Sequence, residues 1–408
     1  MKHILLISQY FYPENFRVND MAVEWVKRGY KVTVLTGIPN YPMGRFFDGY
    51  DYKHKRKEQW NGVNIIRIPL IARGNSSNKL LNAGGMVANY LSFVASGRRW
   101  VKKTDVKADL VFTVEVSPMT QALIGVWYGK RYHVPSYLYV QDLWPENVEI
   151  ITGIHNKVMI EPINKMVDKI YRESDKIFTT SPSFVEAIVN RKVPVDRKKV
   201  HYWPQYAEEF YKPLPRQVVE SINENDNSYK IVFTGNVGTA QGLDILPKTA
   251  KLLKDENVKF VIVGDGRYQR EFEQLIDALD VRNKFIIIPR VQAEQIPKIL
   301  SACDAGFISF NKTSLWEMTI PAKLQSYMAC GKAIIASASG ETKRIIEEAL
   351  CGVCIEIGNA EALAKGIREL MKANGAKMGK NARIYFELHF DKKILMDKMD
   401  KYILEEIR

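Results

Sequence analysis

Two glycine-containing turns in the second half of the sequence have the residue types of a phosphate-binding site. The first, GNVGTAQG at 235–242, follows the strand-like run YKIVFT, and the second, GDG at 264–266, follows the run VKFVIV. Glycine lets the backbone approach a ligand closely, and the start of the next helix attracts an anion. Either turn alone also fits an ordinary tight turn. Two of them at one edge of one sheet indicate a phosphorylated ligand.

A lysine and an aspartate are the candidate reactive side chains. Lys323 lies in the first turn of a helical run that starts at Pro321, where its charge adds to the helix dipole. This suits a diphosphate leaving group, and the alternative is a surface lysine with its stem on apolar neighbours. Asp142 directly follows the apolar run SYLYV, so it belongs either to a ligand site at the carboxyl end of a strand or to a helix N-cap.

The motifs of several common enzyme classes are missing. The first strand continues into SQYFYPEN rather than G-x-G-x-x-G, and no G-x-x-x-x-G-K-[ST] occurs, which disfavours a dinucleotide clamp and a P-loop nucleotidase. There is also no G-x-S-x-G and no H-E-x-x-H. Cys351 and Cys354 form a single C-x-x-C without a second ligand pair, so they are interpreted as buried strand residues and no metal site is expected.

Short apolar runs alternate with longer amphipathic stretches in two series, separated by a proline-rich linker near 204–215. This pattern predicts an α/β protein of two Rossmann-like domains, each with a parallel sheet covered by helices. Ligands of such sheets bind beyond the carboxyl ends of the strands, so we expect the two sheets to face one interdomain cleft. The strands are expected at 3–8, 31–36, 63–68, 109–114, 136–140 and 176–180, then at 229–234, 258–263, 284–288, 305–309 and 333–337.

Composition favours a globular protein in a reducing, intracellular setting. Of 408 residues, 46% are hydrophobic and 26% charged, and four cysteines provide no disulfide framework. We find no secretory signal and no apolar run of transmembrane length.

The net charge of +13 is concentrated in residues 1–210, which hold 30 Lys and Arg against 20 Asp and Glu. Either an anionic partner or a lysine-rich surface that is merely solvated explains this excess of positive charge. We identify no face on which basic and aromatic residues alternate, so the sequence does not indicate nucleic-acid binding. Two segments could bind an anionic membrane: the basic run KHKRK at 53–57 and the apolar stretch 78–103 with its basic end. The alternative is that the stretch 78–103 forms a core helix with a solvated basic end.

Together these passages resemble glycosyltransferase family four, the retaining enzymes of GT-B fold. Within that family the likeness is to bacterial capsule and O-antigen transferases, including those for N-acetyl-L-fucosamine. The resemblance covers nearly the whole chain. It is carried by the passages 9–20 (QYFYPENFRVND), 36–44, 141–146 (QDLWPE), 234–243, 262–266 and 319–331.

The resemblance implies an acceptor domain at 1–205 and a nucleotide-sugar donor domain at 214–387, with a C-terminal helix at about 388–408 that crosses back to the first. It assigns catalysis to Asp142, Glu317 and Lys323, and an acceptor-side loop to Tyr12, Glu14, Asn15 and Arg17. It assigns donor binding to Gly235, Asn236, Gly238, Gln241, Gly264, Asp265, Gly266, Arg290, Val291, Pro321 and Ser326. No metal and no cofactor besides the sugar nucleotide are implied.

Several positions depart from the family pattern: Asn236, Gln241, Met318, Ser326 and Gln141. Asn236 and Gln241 stand where many members carry an Arg and a Lys that hold the diphosphate. Lys323 is therefore the remaining cation that could bind the diphosphate. Met318 and Ser326 stand where paired glutamates are expected, so Glu317 replaces the first of them. Gln141 replaces a histidine, and no histidine base is therefore expected.

The expected function is metal-independent, retaining transfer of an N-acetylated amino sugar from a UDP-sugar. The expected acceptor is a lipid-diphosphate-linked saccharide at the inner face of the cell membrane, in bacterial surface polysaccharide biosynthesis. Two alternatives remain open. A UDP-N-acetylglucosamine 2-epimerase of the same fold would turn over without an acceptor. A non-catalytic nucleotide-sugar-binding subunit of a polysaccharide assembly would bind the donor without turnover.

Overall fold

The computed structural model describes residues 1–74, 79–152, 156–222 and 226–406. Residue 78 of the predicted stretch 78–103 and the last two residues of the predicted C-terminal helix lie outside these ranges. The chain forms two compact units. The first comprises Met1–Trp203 and the end of the chain from Met399, and the second comprises Pro204–Lys398.

The first unit is built on an eight-stranded sheet of order β3-β4-β2-β1-β5-β6-β7-β8. Val, Ile, Leu and aromatic residues fill its central strands on both faces, because helices cover both sides. The strands are β1 (His3–Ile7), β2 (Lys31–Gly37), β3 (Lys57–Trp60), β4 (Val63–Ile68), β5 (Leu110–Glu115), β6 (Ser136–Val140), β7 (Lys176–Thr179) and β8 (Val200–Tyr202). The helices are α1 (Arg17–Lys27), α2 (Lys79–Lys103), α3 (Ala122–Tyr132), α4 (Glu146–Thr152), α5 (Lys157–Glu173) and α6 (Pro182–Val189).

The second unit has a six-stranded sheet of order β11-β10-β9-β12-β13-β14, in which every neighbouring pair is parallel. Its strands are β9 (Tyr229–Thr234), β10 (Val258–Val263), β11 (Phe285–Ile288), β12 (Ala305–Ser309), β13 (Ala333–Ser337) and β14 (Gly352–Ile355). Its helices are α7 (Ile245–Leu252), α8 (Gln269–Ala278), α9 (Ile296–Ser301), α10 (Ser314–Met318), α11 (Ala322–Ala329), α12 (Gly340–Glu348), α13 (Ala360–Lys372) and α14 (Gly375–His389). The final helix, α15 (Lys392–Glu406), begins in the second unit.

The prediction of two α/β sheets is confirmed, with three edge strands that were not among the expected strands: β3 and β8 in the first sheet and β14 in the second. Strand β3 pairs antiparallel with β4 at the edge, so that sheet is mixed rather than fully parallel. The sequence KEQW is short and polar, and an edge strand needs no apolar run because only one of its sides is hydrogen-bonded. Part of the basic run 53–57 therefore belongs to a hairpin rather than to a free loop.

Each sheet has one point where the strand order reverses. In the first unit the chain winds outward from β1 toward β4 and from β5 toward β8, and in the second unit it winds outward from β9 and from β12. Loops that leave neighbouring strands in opposite directions open a crevice at the carboxyl ends. In this fold, functional side chains are expected after β1 and β5 in the first unit and after β9 and β12 in the second.

Among the described residues, no helix combines the length and the apolar character that a membrane crossing needs. The expectation that both cysteines are buried strand residues is wrong in part: Cys351 is buried but precedes β14, and Cys354 lies in β14 but is half-buried at the sheet edge. Both carry free thiols.

Candidate functional site

The two glycine turns of the second unit touch each other at the carboxyl ends of β9 and β10. Gly235 adopts φ +131° and Gly264 φ +138°, a region that side-chain-bearing residues rarely enter. A Cβ on Gly264 would lie 2.0 Å from the carbonyl oxygen of Gly235, and a Cβ on Gly266 would lie 2.2 Å from that of Val237. Only glycine permits this contact, which joins the two turns into one backbone surface.

Some backbone amides of this surface already donate hydrogen bonds within the protein, and others do not. The amide of Gly235 donates to the Val263 carbonyl at 2.9 Å, and that of Val237 donates to the Asp265 carbonyl at 2.8 Å. Within the described part of the chain, the exposed Asn236 and the half-buried Gly238 donate no backbone hydrogen bond. The amides of these two residues, rather than that of Gly235, are the groups that an anion can reach.

Lys323 adds a positive charge beside this surface. Its ammonium donates to the side-chain oxygen of Gln241 at 3.0 Å and lies 3.8 Å from the centre of the Phe233 ring. A Cβ on Gly235 would come within 3.8 Å of the same nitrogen. The side chain is half-buried, and the loss of hydration around the ammonium lowers the pKa of Lys323 to about 7. An anion bound here would restore the charged form.

The position of Lys323 follows from how α11 is attached to the sheet. Pro321, in extended conformation, is the N-cap of this eight-residue helix. The amide of Leu324 donates to the Pro321 carbonyl at 2.9 Å, whereas those of Ala322 and Lys323 have no acceptor among the described residues. Further along, the buried Tyr327 hydroxyl accepts a hydrogen bond of 2.9 Å from the amide of Thr234 at the end of β9. A Cβ on Gly306 would lie 2.4 Å from the Tyr327 ring, so β12 needs a glycine where this ring packs.

Two polar residues that the sequence reasoning missed complete this edge. The hydroxyl of Ser309, the last residue of β12, donates to the Gln241 carbonyl at 2.5 Å. The side-chain amide of Asn311 donates to the Thr239 carbonyl at 2.6 Å. Both brace the turn that carries Gln241. Their position directly after an apolar strand was the available signal, because such residues line the crevice where the strand order reverses.

The remaining donor-side candidates are less closely joined to Lys323. Arg290, which follows β11 and is succeeded by the half-buried Val291, forms an exposed ion pair of 3.3 Å with Asp265. The buried Ser326 donates within its own helix, to the Ala322 carbonyl at 3.2 Å. The exposed Glu317 carboxylate accepts from the Ser339 hydroxyl at 3.2 Å, and a Cβ on Gly340 would lie 1.9 Å from the Glu317 carbonyl oxygen.

In the first unit, Asp142 lies beside a second, buried carboxyl group. The backbone amide of Asp142 donates to the Glu115 side chain at 3.4 Å, and its own carboxylate accepts from the Ser117 amide at 3.0 Å. Burial raises the pKa of Asp142, and burial together with the charge of Asp142 raises that of Glu115 well above its ordinary value. Glu115 ends the apolar strand β5 and was not predicted.

The loop that carries Asp142 is held from two sides. The Ser117 hydroxyl accepts from the Trp144 indole at 3.0 Å and from the Asn147 amide at 2.8 Å. Arg191 donates to the Trp144 carbonyl at 3.3 Å and pairs with Asp168 at 2.7 Å. Asp142 is therefore a fixed side chain at the carboxyl end of β6 and does not cap a helix, since α4 begins at Glu146.

The four residues predicted for the acceptor-side loop differ in their roles, and Glu14 is a buried structural residue. The buried Glu14 carboxylate accepts backbone amides of Asn40 at 2.8 Å, Tyr41 at 2.7 Å and Phe11 at 3.3 Å, which ties the loop after β1 to that after β2. Burial, only partly opposed by these amides, raises the pKa of Glu14 to about 7. Tyr12 stacks on Trp60 at 4.4 Å, Asn15 is exposed and Arg17 is half-buried.

Buried amides connect β1 to the neighbouring loops. The backbone amide of Gln9 donates to the Gln121 side chain at 2.7 Å, and the Gln9 side chain donates to Asn89 at 2.6 Å. Asn89 in turn donates to Asn40 at 3.3 Å. These hydrogen bonds tie β1 to the neighbouring loops, although the side-chain oxygen of Gln9 is buried without a partner among the described residues.

These arrangements define what the two units can do chemically. The second unit offers a lysine, unengaged backbone amides and a helix start, which together bind and stabilise negative charge. The first unit offers a carboxylate of raised pKa, which can accept or share a proton with a hydroxyl. The described residues contain no group of three or more His, Cys, Asp or Glu side chains arranged to hold a metal ion.

Comparison with known proteins identifies the family. Residues 15–204 match the model of a glycosyl transferase 4-like domain, and residues 216–385 match glycosyl transferases group 1. Over 389 residues, 91% of either chain, the sequence is 25% identical to an Escherichia coli (strain K12) protein named as a colanic acid biosynthesis glycosyl transferase, WcaI.

Solved structures share the fold over the full length. Sucrose-phosphate synthase of Thermosynechococcus elongatus superposes with a TM-score of 0.74 at 16% identity and 99% coverage of both chains. Anabaena Alr3699/HepE in complex with UDP-glucose superposes with a TM-score of 0.70 at 14% identity, covering 99% of this chain and 100% of that one. The two family matches span almost all of the chain, and the fold agrees with them: this protein is a glycosyltransferase of family four, with the GT-B fold.

Proposed function

We propose that this glycosyltransferase transfers a sugar from a UDP-sugar, with retention of anomeric configuration, to a lipid-diphosphate-linked saccharide in bacterial surface polysaccharide biosynthesis. The observation that carries the proposal is the position of Lys323 beside the joined turns of Gly235 and Gly264. A cation and free amides at a strand-order reversal suit a diphosphate. The UDP-glucose bound by Alr3699/HepE and the colanic acid pathway in the name of WcaI support the donor and the pathway.

We assign the donor to the second unit and the acceptor to the first. The diphosphate is bound by Lys323, the amides of Asn236 and Gly238, and the start of α11. Glu317, held by Ser339, orients hydroxyls of the donor sugar. Gln241 has a positioning role, because its side-chain oxygen holds the Lys323 ammonium.

The reaction itself forms one bond and breaks one. The acceptor hydroxyl attacks the anomeric carbon on the face from which the diphosphate departs. The anomeric C–O bond to phosphate breaks, UDP leaves with the bonding electrons, and the donor phosphate takes the proton of the attacking hydroxyl. Lys323 stabilises the charge that develops on UDP, so no metal ion is required in this scheme. Asp142 contacts the acceptor hydroxyl or the donor sugar.

The donor sugar that we propose is an N-acetylated amino sugar, on the resemblance of passages such as QDLWPE and TIPAKLQSYMACG to N-acetyl-L-fucosamine transferases. A panel of UDP-sugars decides between this class and neutral hexoses.

We also propose that the first unit binds the inner face of the cell membrane through α2. Its outward face carries Val87 and Leu91, which are 55% and 58% exposed, and Ile71 beside the helix is 52% exposed. Four exposed basic residues follow at the end of the same helix: Arg98, Arg99, Lys102 and Lys103. Apolar side chains next to basic ones are typical of binding to an anionic bilayer.

Thermal unfolding with nucleotides and UDP-sugars, with and without EDTA, tests the donor assignment. We expect UDP and UDP-N-acetylhexosamines to stabilise the protein by about 2.7 kcal/mol at 100 times their dissociation constant, with EDTA making no difference. No stabilisation by any nucleotide, or stabilisation abolished by EDTA, would contradict it. Incubation of the donor without an acceptor is the control, because consumption there would indicate an epimerase.

A further inference from the structure

Arg73 occupies a fixed position in the first unit, beyond the end of β4. Its backbone amide donates to the side chain of the buried Asn40 at 3.1 Å. Two residues earlier, the amide of Ile71 donates to the Ser92 hydroxyl of α2 at 2.8 Å. A Cβ on Gly85 would lie 2.3 Å from the Arg73 carbonyl oxygen, so α2 approaches this segment as closely as a glycine allows. The backbone of Arg73 is thereby locked to the amide network under the sheet edge.

The guanidinium of Arg73 has no acidic partner. In the part of the chain that the structure describes, it forms no ion pair, and its side chain donates only to the thioether sulfur of Met86, at 2.7 Å. A thioether is a weak acceptor, and a half-buried arginine is normally paired with a carboxylate. The centre of the guanidinium lies 5.7 Å from that of the Tyr41 ring. Arg73 therefore keeps its charge and several donors available to a ligand.

A buried hydroxyl with one weak partner lies in the same cluster. Tyr10 is 5% exposed, and its hydroxyl makes no hydrogen bond of good geometry to any described residue. Its ring stacks on Phe16 at 5.4 Å and lies 5.6 Å from that of Tyr41. The hydroxyl is close enough to the phenol of Tyr90 of α2 for a weak hydrogen bond, which lowers the pKa of Tyr90. A buried hydroxyl with so weak a partner leaves hydrogen-bonding capacity for a ligand.

Hydrogen bonds connect the amide network under this cluster to the loop that holds Asp142. The Gln121 side chain, which accepts from the Gln9 amide, donates to the Val116 carbonyl at 3.2 Å, and the amide of the next residue, Ser117, donates to Asp142. Burial raises the pKa of Tyr90, the charge of Arg73 lowers it, and the charge of Asp142 raises it. The phenol of Tyr90 is therefore within range of both groups. A ligand that contacts Asp142 with one group can contact Arg73 with another.

We propose that Arg73, with the hydroxyls of Tyr10 and Tyr90, binds an anionic group of the acceptor while the acceptor's reacting hydroxyl lies at Asp142. This inference rests on the proposed function, since it takes the first unit as the acceptor side. The group is a phosphate or a carboxylate, because a guanidinium fork matches both. It is either the diphosphate of a lipid carrier or the carboxylate of an acidic sugar.

The test measures binding of small anions to the full-length protein saturated with UDP, which fills the donor site. The probes for titration calorimetry are geranyl diphosphate, D-glucuronate and the neutral alcohol geraniol. We compare the wild type with Arg73→Gln, Tyr10→Phe and the control Arg45→Gln. Arg45 is an exposed arginine of the same unit that pairs with Asp48, so the control removes the same charge without removing a side-chain contact of the cluster.

We expect one anionic probe, and not geraniol, to bind the wild type. Arg73→Gln should weaken that binding about 10- to 100-fold, and Tyr10→Phe about 3- to 10-fold without any fall in melting temperature. Arg45→Gln should leave it unchanged. Arg73-dependent binding of geranyl diphosphate identifies a lipid diphosphate, and Arg73-dependent binding of glucuronate identifies an acidic sugar.

Three outcomes would overturn the inference: no anionic probe binds, binding is independent of Arg73, or Arg45→Gln weakens it equally. The UDP titration on the same samples reports separately on the proposed function. If UDP fails to bind while an anionic probe still depends on Arg73, the donor assignment is wrong and the anion site stands.

Discussion

The ammonium of Lys323 donates a hydrogen bond of 3.0 Å to the side chain of Gln241, across 82 residues of sequence. Gln241 stands where many family members carry a lysine of their own. In this chain the Gln241 side chain holds the Lys323 ammonium instead of supplying a cation of its own. Among the described residues the ammonium has no carboxylate partner, so its charge is reserved for a ligand.

Replacing Lys323 by methionine should remove the main charge that stabilises the departing diphosphate. We expect turnover to fall about 10²- to 10³-fold, with no loss of melting temperature because methionine keeps most of the apolar stem. Steady-state kinetics with the best UDP-sugar of the panel measures this. Lys343→Met, an exposed lysine of α12, is the control and should leave turnover unchanged. Near-normal turnover of Lys323→Met would refute the assignment.

UDP binding should be coupled to proton uptake. The pKa of Lys323 is lowered to about 7 by burial, so at pH 8 most of the free protein carries the neutral amine. A bound diphosphate favours the ammonium and raises this pKa, so nearly one proton should be taken up at pH 8 and almost none at pH 6. Titration calorimetry in buffers of different ionisation enthalpy measures the uptake. Equal uptake by Lys323→Met would assign the proton to another group.

The contact of the two glycine turns should make Gly264 intolerant of any side chain. In Gly264→Ala the new Cβ meets the Gly235 carbonyl at 2.0 Å, and both atoms belong to backbone that cannot move aside cheaply. We expect a loss of more than about 3 kcal/mol in the free energy of unfolding. Gly358→Ala is the matched control, with φ +77° but open space around the Cβ, and should cost about 1–2 kcal/mol. Equal losses in urea denaturation would mean that backbone conformation alone, and not the contact, requires glycine.

Asp142→Asn should separate function from stability. The asparagine keeps an oxygen for the Ser117 amide but removes the charge that opposes ionisation of Glu115. We expect turnover to fall at least about 10²-fold, while the free energy of unfolding near pH 7.5 stays constant or rises by about 1 kcal/mol. Unchanged turnover in this variant would remove Asp142 from the mechanism.

The protein should lose stability through Glu14 as the pH rises. Burial lifts its pKa from an ordinary 4.5 to about 7, so folding favours the protonated carboxyl. That stabilisation is complete below about pH 4.5 and is lost as the pH rises toward 7, a change of the order of 3 kcal/mol. Urea denaturation at several pH values should show the full slope in the wild type and in the control Glu361→Gln, an exposed position. In Glu14→Gln the slope should be smaller by this amount, and the part that comes from the other carboxyl groups of raised pKa, Glu115 and Asp142, should remain. An unchanged slope in Glu14→Gln would contradict the assignment to Glu14.

Much of the architecture was predictable because it depends on local pattern. Buried parallel strands need apolar residues on both faces, and strands such as β9 and β10 show this directly in YKIVFT and VKFVIV. The glycine turns were also predictable, since they follow these strands immediately. Strands β3, β8 and β14 were missed because a short edge strand lacks that apolar signature. Ser309 was predicted only as the last residue of a buried strand, and neither it nor Asn311 was singled out as a residue of the crevice.

By itself, the sequence determined two α/β sheets, the edge of each where a ligand would bind, and the residues Lys323 and Asp142 as candidates. Only the tertiary structure decided which groups meet: Lys323 with Gln241, Asp142 with Glu115, and Arg73 with Tyr10 and Tyr41. These pairs are far apart in the chain, and no periodicity records them. The pKa shifts of Lys323, Asp142, Glu115 and Tyr10 follow mainly from burial. Burial depends on how all the elements pack, so these shifts follow from the complete fold and not from local sequence.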